Sequence, residues 1–275
     1  LNGRIVPSIA YRVQFSNRNA RYLEMNRDAG IDLLVAPVTA GGKFRSILKG
    51  VGKYDFTEAR TDLFRALCRA PDAVILLQIC AYAYPGMEAE PDEIWQNRDG
   101  LLGVSSSGNM LYVDRFVKEK SGKEEYYPSY ASQKWRKTCT DAVVAYLEDL
   151  KASGLLNAVG GITLAIGEDG QMLTRWPAKQ DFSPAARRGF AAFLRKKYGT
   201  EEKLRAAWNN PKAEFDFPSR ESMPGYKDPD NSEFRNPAND QAYVDAMEYH
   251  YAMQKDTLDY FAKRCLAVFG RPVLA

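Results

Sequence analysis

The stretch "DAVILLQICAYAY" (72–84) limits the fold more than any other part of the chain. An apolar run this continuous falls short of the roughly 20 residues that a membrane-spanning helix takes. It reads instead as a strand of a parallel sheet, buried on both faces. "RIVPSIAYR" (4–12) and "IDLLVAPVT" (31–39) are further strand-like runs. Amphipathic segments separate them: "NARYLEMNRDAG", stopping at Gly30, and "DFTEARTDLFRALCRAP", which opens on an acidic turn and carries Leu63, Phe64 and Leu67 on one expected face.

The order then repeats. An irregular segment over 85–129 has a length that is usually functional in a compact domain. The helix "YASQKWRKTCTDAVVAYLEDLKASG" and the strand "NAVGGITLAIG" (157–167) follow it. "DFSPAARRGFAAFLRKKYG" is a helix with Ser183 as its cap, Pro184 in its first turn and Gly199 as its terminator. After "EEKLRAAWNN" comes a second irregular region, 210–238, rich in Pro, Asp and Asn. A long helix over 239–269 leads to Gly270 and "RPVLA", the start of a fifth strand.

Strands alternating with helices predict parallel α/β architecture. No G-x-G-x-x-G follows the first strand, which removes the main support for a doubly wound dinucleotide fold. The expected fold class is therefore α/β, a (β/α)8 TIM barrel, with residues 1–275 as a single barrel domain showing about five strand–helix units. Closure takes eight strands. Either this chain is the N-terminal part of a longer polypeptide, which is the expectation, or the sheet is open.

Composition narrows the chemistry. With 275 residues, 45% of them apolar, the chain can bury a substantial core. Its 38 basic and 35 acidic residues are interspersed, which argues against a nucleic-acid partner. No run is long enough to predict a membrane partner, and "LNGRIVPSIAYR" has neither the basic start nor the apolar block of a signal peptide. The chain begins at Leu1 rather than Met, so processing is expected, and removal of a signal would favour a periplasmic or extracellular location. Cys68, Cys80, Cys139 and Cys265 form no C-x-x-C pair and read as buried free thiols. The one histidine, His250, lies in the helix-like "DAMEYHYAMQKDTLDYF" and reads as a helix-surface residue. A single histidine makes a zinc site or a Ser-His-Asp triad improbable, so no metal and no cofactor are expected and the chemistry falls to carboxylates. Aromatic residues make up 12% of the chain, which suits stacking against flat apolar faces and equally suits an ordinary aromatic core.

In a barrel, the loops after the strands build the active site. Glu168, Asp169 and Gln171, just after the fourth strand, are thereby placed at the mouth; a solvated turn is the plainer reading of Glu168 and Asp169. Tyr82, Tyr84 and Trp95 lie at and beyond the end of the third strand, and each is a candidate either for stacking on a ring or for packing under its own loop. Trp176 follows the acidic loop and is a candidate to line a substrate subsite. Asn109, next to the serines 105–107, is a candidate donor within ordinary turn chemistry. Arg12 and Tyr11 close the first strand and are candidates to face the cavity. Trp135 and Trp208 sit on helices and read as packing residues.

The segment "LAIGEDGQMLTRWP" resembles the strand-four region of β-amylases and of barrel glycosidases related to the family 42 β-galactosidases, in which a G-x-x-G-E pattern presents the general-acid glutamate. Gly167 and Gly170 match the glycines, and Gln171 occupies the glutamate's place. The run 183–199 also resembles the S-P-x-x-R-x-x-F-x-x-[WF]-L-x-x-K-Y-G that follows the acid in the second group. The likeness is good over 120–210 and holds only by pattern elsewhere. It implies a hydrolase acting on a carbohydrate with a β-linked sugar, through one carboxyl that protonates the leaving oxygen and a second that acts as nucleophile or base. In the retaining members the nucleophile lies near strand seven, beyond residue 275. Three readings of Gln171 stay open: an engineered Glu→Gln change, a natural loss leaving a non-catalytic sugar-binding barrel, or a neighbour of Glu168, which would then be the acid. Homo-oligomerisation is also open.

Overall fold

The computed structural model describes residues 10–12, 20–41, 45–82, 84, 128–166, 181, 183–218, 222–224 and 236–271. The chain divides into two compact units, one of Leu1–Pro85, Arg136–Met172 and Leu258–Ala275, the other of Gly86–Trp135 and Leu173–Thr257.

The first unit is built on a parallel sheet. β1 (Tyr11–Arg12), β2 (Leu33–Ala40), β5 (Val74–Ala81) and β6 (Val159–Leu164) lie side by side in sequence order, and every pair is parallel. A short antiparallel hairpin, β3 (Leu48–Gly50) and β4 (Lys53–Tyr54), follows β2. Crossovers between parallel strands are right-handed, so an unbroken strand order places successive helices on one face of the sheet. Side-chain contacts run in the same order. Arg27 of α1 (Ala20–Asp28) donates to the Arg69 carbonyl of α2 (Thr57–Arg69) at 2.8 Å. Arg60 of α2 pairs with Asp149 of α3 (Gln133–Ala152) at 2.8 Å. Asp141 of α3 pairs with Arg264 of α6 (Pro237–Phe269) at 2.7 Å. A doubly wound sheet would reverse its strand order at a switch point and carry helices on both faces. Four of the eight strands that closure takes are present among the described residues.

One-sided winding explains a difference from the sequence reading, in which the strands were expected to be buried on both faces. Along β2, burial alternates strictly: Leu34, Ala36, Val38 and Ala40 are buried, while Leu33, Val35, Pro37 and Thr39 are partly exposed. β5 alternates likewise up to Ile79. The face with Leu34, Ile75, Leu77 and Ile162 is core; the other is only half covered.

Two expectations for α2 also shift. Leu63 is 1% exposed, but Phe64 is 56% exposed. Successive helix residues turn by 100°, so Phe64 leaves the stripe that Leu63 and Ala66 occupy. Cys68, one turn on from Phe64, is exposed as well, whereas Cys80, Cys139 and Cys265 are the buried free thiols expected.

The second unit packs α4 (Pro184–Tyr198), α5 (Glu201–Ala207) and α6 up to Thr257 around Phe190, whose ring lies 5.2 Å from Phe217, 5.3 Å from Tyr249 and 6.4 Å from Trp208. Trp135 is fully buried and meets Tyr130 edge to face, in agreement with its packing assignment. Gly189 lets α4 approach α6: a Cβ there would lie 2.2 Å from the Tyr249 hydroxyl oxygen and 3.0 Å from its Cζ. Because Tyr249 is wedged against Phe190 and Phe193, it has little room to yield. Gly189→Ala regains about 1 kcal/mol of helix propensity but overpacks a filled site, at about 1–3 kcal/mol or more. Urea unfolding should therefore show a net loss, and Tyr249→Phe in the same chain should recover part of it. An unchanged or raised midpoint for Gly189→Ala would contradict this packing.

His250 corrects another expectation. It is buried rather than on the helix surface, since α6 is covered on more than one side: Asp245, Ala246, Tyr249, His250 and Met253 are all buried. Its ring lies 2.8 Å from Gln254 Nε2, and burial pushes its pKa down from 6.5 to about 4. With the folded pKa depressed, the unfolded chain takes the proton more readily, so stability present above pH 6.5 is lost as the pH falls toward 4. At about 1.4 kcal/mol per pH unit the loss is on the order of 3 kcal/mol. As the sequence holds no other histidine, His250→Gln should flatten the dependence of the urea midpoint on pH between 7 and 4.5.

Candidate functional site

The parallel register brings the C-terminal ends of β2, β5 and β6 to one edge. Ala40 pairs with Ala81, the Tyr82 N–H donates to the Ala40 carbonyl (3.0 Å), and the Ala165 N–H donates to the Ile79 carbonyl (2.8 Å), carrying the ladder past Leu164. Ile166, buried at this edge, is the last described residue before 167–171. Gln171, Glu168, Asp169, Trp176, Trp95 and Asn109 all lie outside the described residues. Tyr82 is half-buried at the edge and its carbonyl accepts the Cys139 thiol (3.4 Å), while Tyr84 is 3% exposed. Arg12 pairs level with Val35, five positions before Ala40, and its side chain is outside the described set.

Hydrogen bonds among Thr39, Gly41 and residues 46–48, not anticipated from the sequence, also stand at this edge. Ser46 Oγ accepts the N–H groups of Gly41 (2.9 Å) and Leu48 (3.1 Å) and donates to the Leu48 carbonyl (2.9 Å). The Ile47 N–H returns to the Thr39 carbonyl at 2.9 Å. One signal was present: "LKGVGKY" places two glycines between short extended runs, as a hairpin does.

On the half-covered face the pairing rows run from Arg12, Val35, Leu76 and Gly161, through Pro37, Gln78 and Thr163, to Thr39 and Cys80 nearest the same edge. Gln78 interrupts an otherwise apolar strand, and that was its only mark in the sequence. Among the described residues no group of three or more His, Cys, Asp or Glu is placed to hold a metal ion.

No protein-family model and no curated protein matches the sequence. Solved structures do. Over 94% of its length the chain superposes, with a TM-score of 0.54 and 16% identity, on a β-galactosidase from the psychrophilic Marinomonas ef1, covering 35% of that chain. The β-galactosidase from Bacillus circulans sp. alkalophilus matches over 92% of this chain and 34% of its own, with a TM-score of 0.51 and 16% identity. For the catalytic domain of the β-amylase from Paenibacillus polymyxa the TM-score is 0.57 and the identity 13%, over 98% of this chain and 66% of that one. What they share is the fold. The chain spans about a third of the length of these β-galactosidases.

The run 183–199, part of the resemblance to the galactosidase group, has a structural account residue by residue. Ser183 Oγ caps α4 by accepting the Ala186 N–H (3.1 Å), with Pro184 in the first turn. Arg187 donates to the carbonyls of Phe217 and Pro218, Phe190 centres the aromatic cluster, and Leu194 is fully buried. Lys197 and Tyr198 both donate to Asp245 of α6, at 2.8 and 2.7 Å, and Gly199 ends the helix at φ +78°. Trp208 Nε1 and Gln241 Nε2 also donate to Asp245, each at 2.7 Å. Burial works against the charge on Lys197, but its hydrogen bonds to Asp245 and Glu248 outweigh that and hold its pKa above the usual lysine range. Burial, then the Asp245 hydrogen bond, pushes Tyr198 up to about 12. A second buried carboxylate, Asp181, accepts the Ser129 hydroxyl (2.6 Å) and the Ser183 N–H (2.9 Å); burial raises its pKa while these donors pull it back. These groups tie helices and turns together within the second unit.

Proposed function

We propose that this chain belongs to a glycoside hydrolase that cleaves a β-linked sugar or polysaccharide, with position 171 as the general acid and Glu168 as the substitute if Gln171 is only its neighbour. The observation that carries the reading is the unbroken parallel strand order, whose C-terminal edge leads directly into 167–171, in a fold shared with β-galactosidases and a β-amylase. A carboxylic acid among apolar walls stays protonated near neutrality and yields its proton to the leaving oxygen. An amide has no such proton. The amide at 171 therefore favours one second reading, a barrel that binds carbohydrate without cleaving it. Hydrolysis of aryl β-glycosides by Gln171→Glu, made in the polypeptide that also carries the remaining strands and the nucleophile, separates the two: a rate that rises well above the unsubstituted parent supports the hydrolase, and a rate left at background in both supports the binding barrel.

A further inference from the structure

Two segments that follow β5 and β6 in sequence hold most of the candidate site residues: 85–127, with Trp95 and Asn109, and 167–180, with Glu168, Asp169, Gln171 and Trp176. The first leads into the turn before α3, residues 128–132, and the second into Asp181, beside the cap of α4. We propose that Asp181, Ser129 and Ser183 join these two ends through a proton-sensitive clasp, which holds more tightly in acid than at neutral pH. The inference is independent of the hydrolase reading.

All three residues are buried. Asp181 Oδ2 accepts the Ser129 hydroxyl at 2.6 Å, Asp181 Oδ1 accepts the Ser183 N–H at 2.9 Å, and the Ser183 hydroxyl donates to Ser129 Oγ at 3.0 Å. Because Ser183 Oγ also accepts the Ala186 N–H, the cluster is continuous with the first turn of α4. The turn that carries Ser129 is held in its own right. The Thr257 hydroxyl of α6 donates to the Tyr130 carbonyl at 3.0 Å, and Ser132 Oγ accepts the Trp135 N–H at 2.9 Å. The groups that face Asp181 are thus neutral, two hydroxyls and a backbone N–H, and no lysine, arginine, histidine or second carboxylate among the described residues acts on it. A buried carboxylate without a counter-ion is disfavoured in its charged form. Burial accordingly raises the Asp181 pKa above the ordinary 3.8, and the serine donors lower it by less. The protonated acid still accepts the Ser183 N–H at one oxygen and can donate from the other to Ser129 Oγ, so both contacts survive without the buried charge. With the folded pKa above the unfolded one, the stability is fully present below 3.8 and is lost as the pH rises through the folded value. This sense is opposite to that of His250.

Titration of the Asp181 carboxyl by carbon-13 NMR in the full chain reads the clasp directly. Its midpoint is expected above 3.8, and Ser129→Ala, which removes a donor to the charged form, should raise it further. A midpoint at or below 3.8 in the parent chain, or one that Ser129→Ala leaves in place, would overturn the proposal. Urea unfolding gives a second reading through Asp181→Asn, which keeps an oxygen for the Ser183 N–H and sets an NH2 where the proton would sit, and so copies the protonated acid at every pH. Measured against the parent at each pH, which cancels the contribution of His250, the unfolding midpoint of Asp181→Asn should gain as the pH rises from 3.8 toward neutrality. A difference that stays constant, or shrinks, over that range also rules the clasp out.

Discussion

In the polypeptide that also carries the remaining strands and the nucleophile, Gln171→Glu is expected to raise the hydrolysis of an aryl β-glycoside by about 10²- to 10⁴-fold, the usual contribution of a positioned general acid. The substitution changes an amide into a carboxyl of nearly the same shape, so binding should change little and the gain should appear in kcat rather than KM. Only the protonated carboxyl donates, so the new rate should fall as the pH rises through the pKa of that group. Glu168→Gln in both backgrounds supplies the control. If position 171 is the acid, the double variant keeps most of the gain. If Glu168 is the acid, Glu168→Gln abolishes whatever activity the parent has, and Gln171→Glu alone adds nothing. Should neither change move the rate from background, acid catalysis from this loop is excluded.

The largest effect on stability is expected at Asp245. Its side chain is fully buried, with four donors from three directions: Lys197 and Tyr198 of α4, Trp208 after α5, and Gln241 one turn back on α6. Asp245→Ala leaves Lys197 with Glu248 as its counter-charge and removes the shared acceptor of Tyr198, Trp208 and Gln241. Each donor left buried and unpaired costs about 1–3 kcal/mol, so the loss is expected at about 3–5 kcal/mol. Asp245→Asn keeps one oxygen for Tyr198 and Trp208 but turns an NH2 toward Lys197 and Gln241, so it should cost less than alanine and more than a surface substitution. Urea unfolding at pH 7, followed by tryptophan fluorescence, reports the change because Trp208 is itself a donor to this carboxylate. A midpoint unchanged in Asp245→Ala would show that the four contacts contribute nothing net.

Both predictions concern positions that the sequence marked unequally. Position 171 drew attention because an amide stands where the resembled pattern has an acid. Asp245 drew none: it is one acid among several in a helix rich in polar residues, and its donors lie 4 to 48 positions away. The run 183–199 was recognised as a pattern, yet its content was hidden. Lys197 and Tyr198 matter through what they reach on α6, and no spacing within the run reveals that partner.

β2, β5, β6 and α4 lie within a few residues of where local signals placed them. These elements are readable because each depends on such signals, namely apolar runs, caps and terminators. The hairpin after β2 was missed because its strands are only three and two residues long. Phe64 lies off the buried stripe of α2 because neighbours in sequence stand 100° apart around a helix.

Periodicity and caps alone determined the alternation of elements, the exclusion of a dinucleotide fingerprint and the loop in which chemistry was sought. Tertiary structure decided the strand order, the one-sided placing of the helices, the burial of His250 and the gathering of Ser129, Asp181 and Ser183 in one buried cluster. The physical reason is range. Propensity and hydrophobic period act over a few residues, whereas strand register and the pairing of buried charges bring together residues tens of positions apart, through contacts that exist only once the chain has folded.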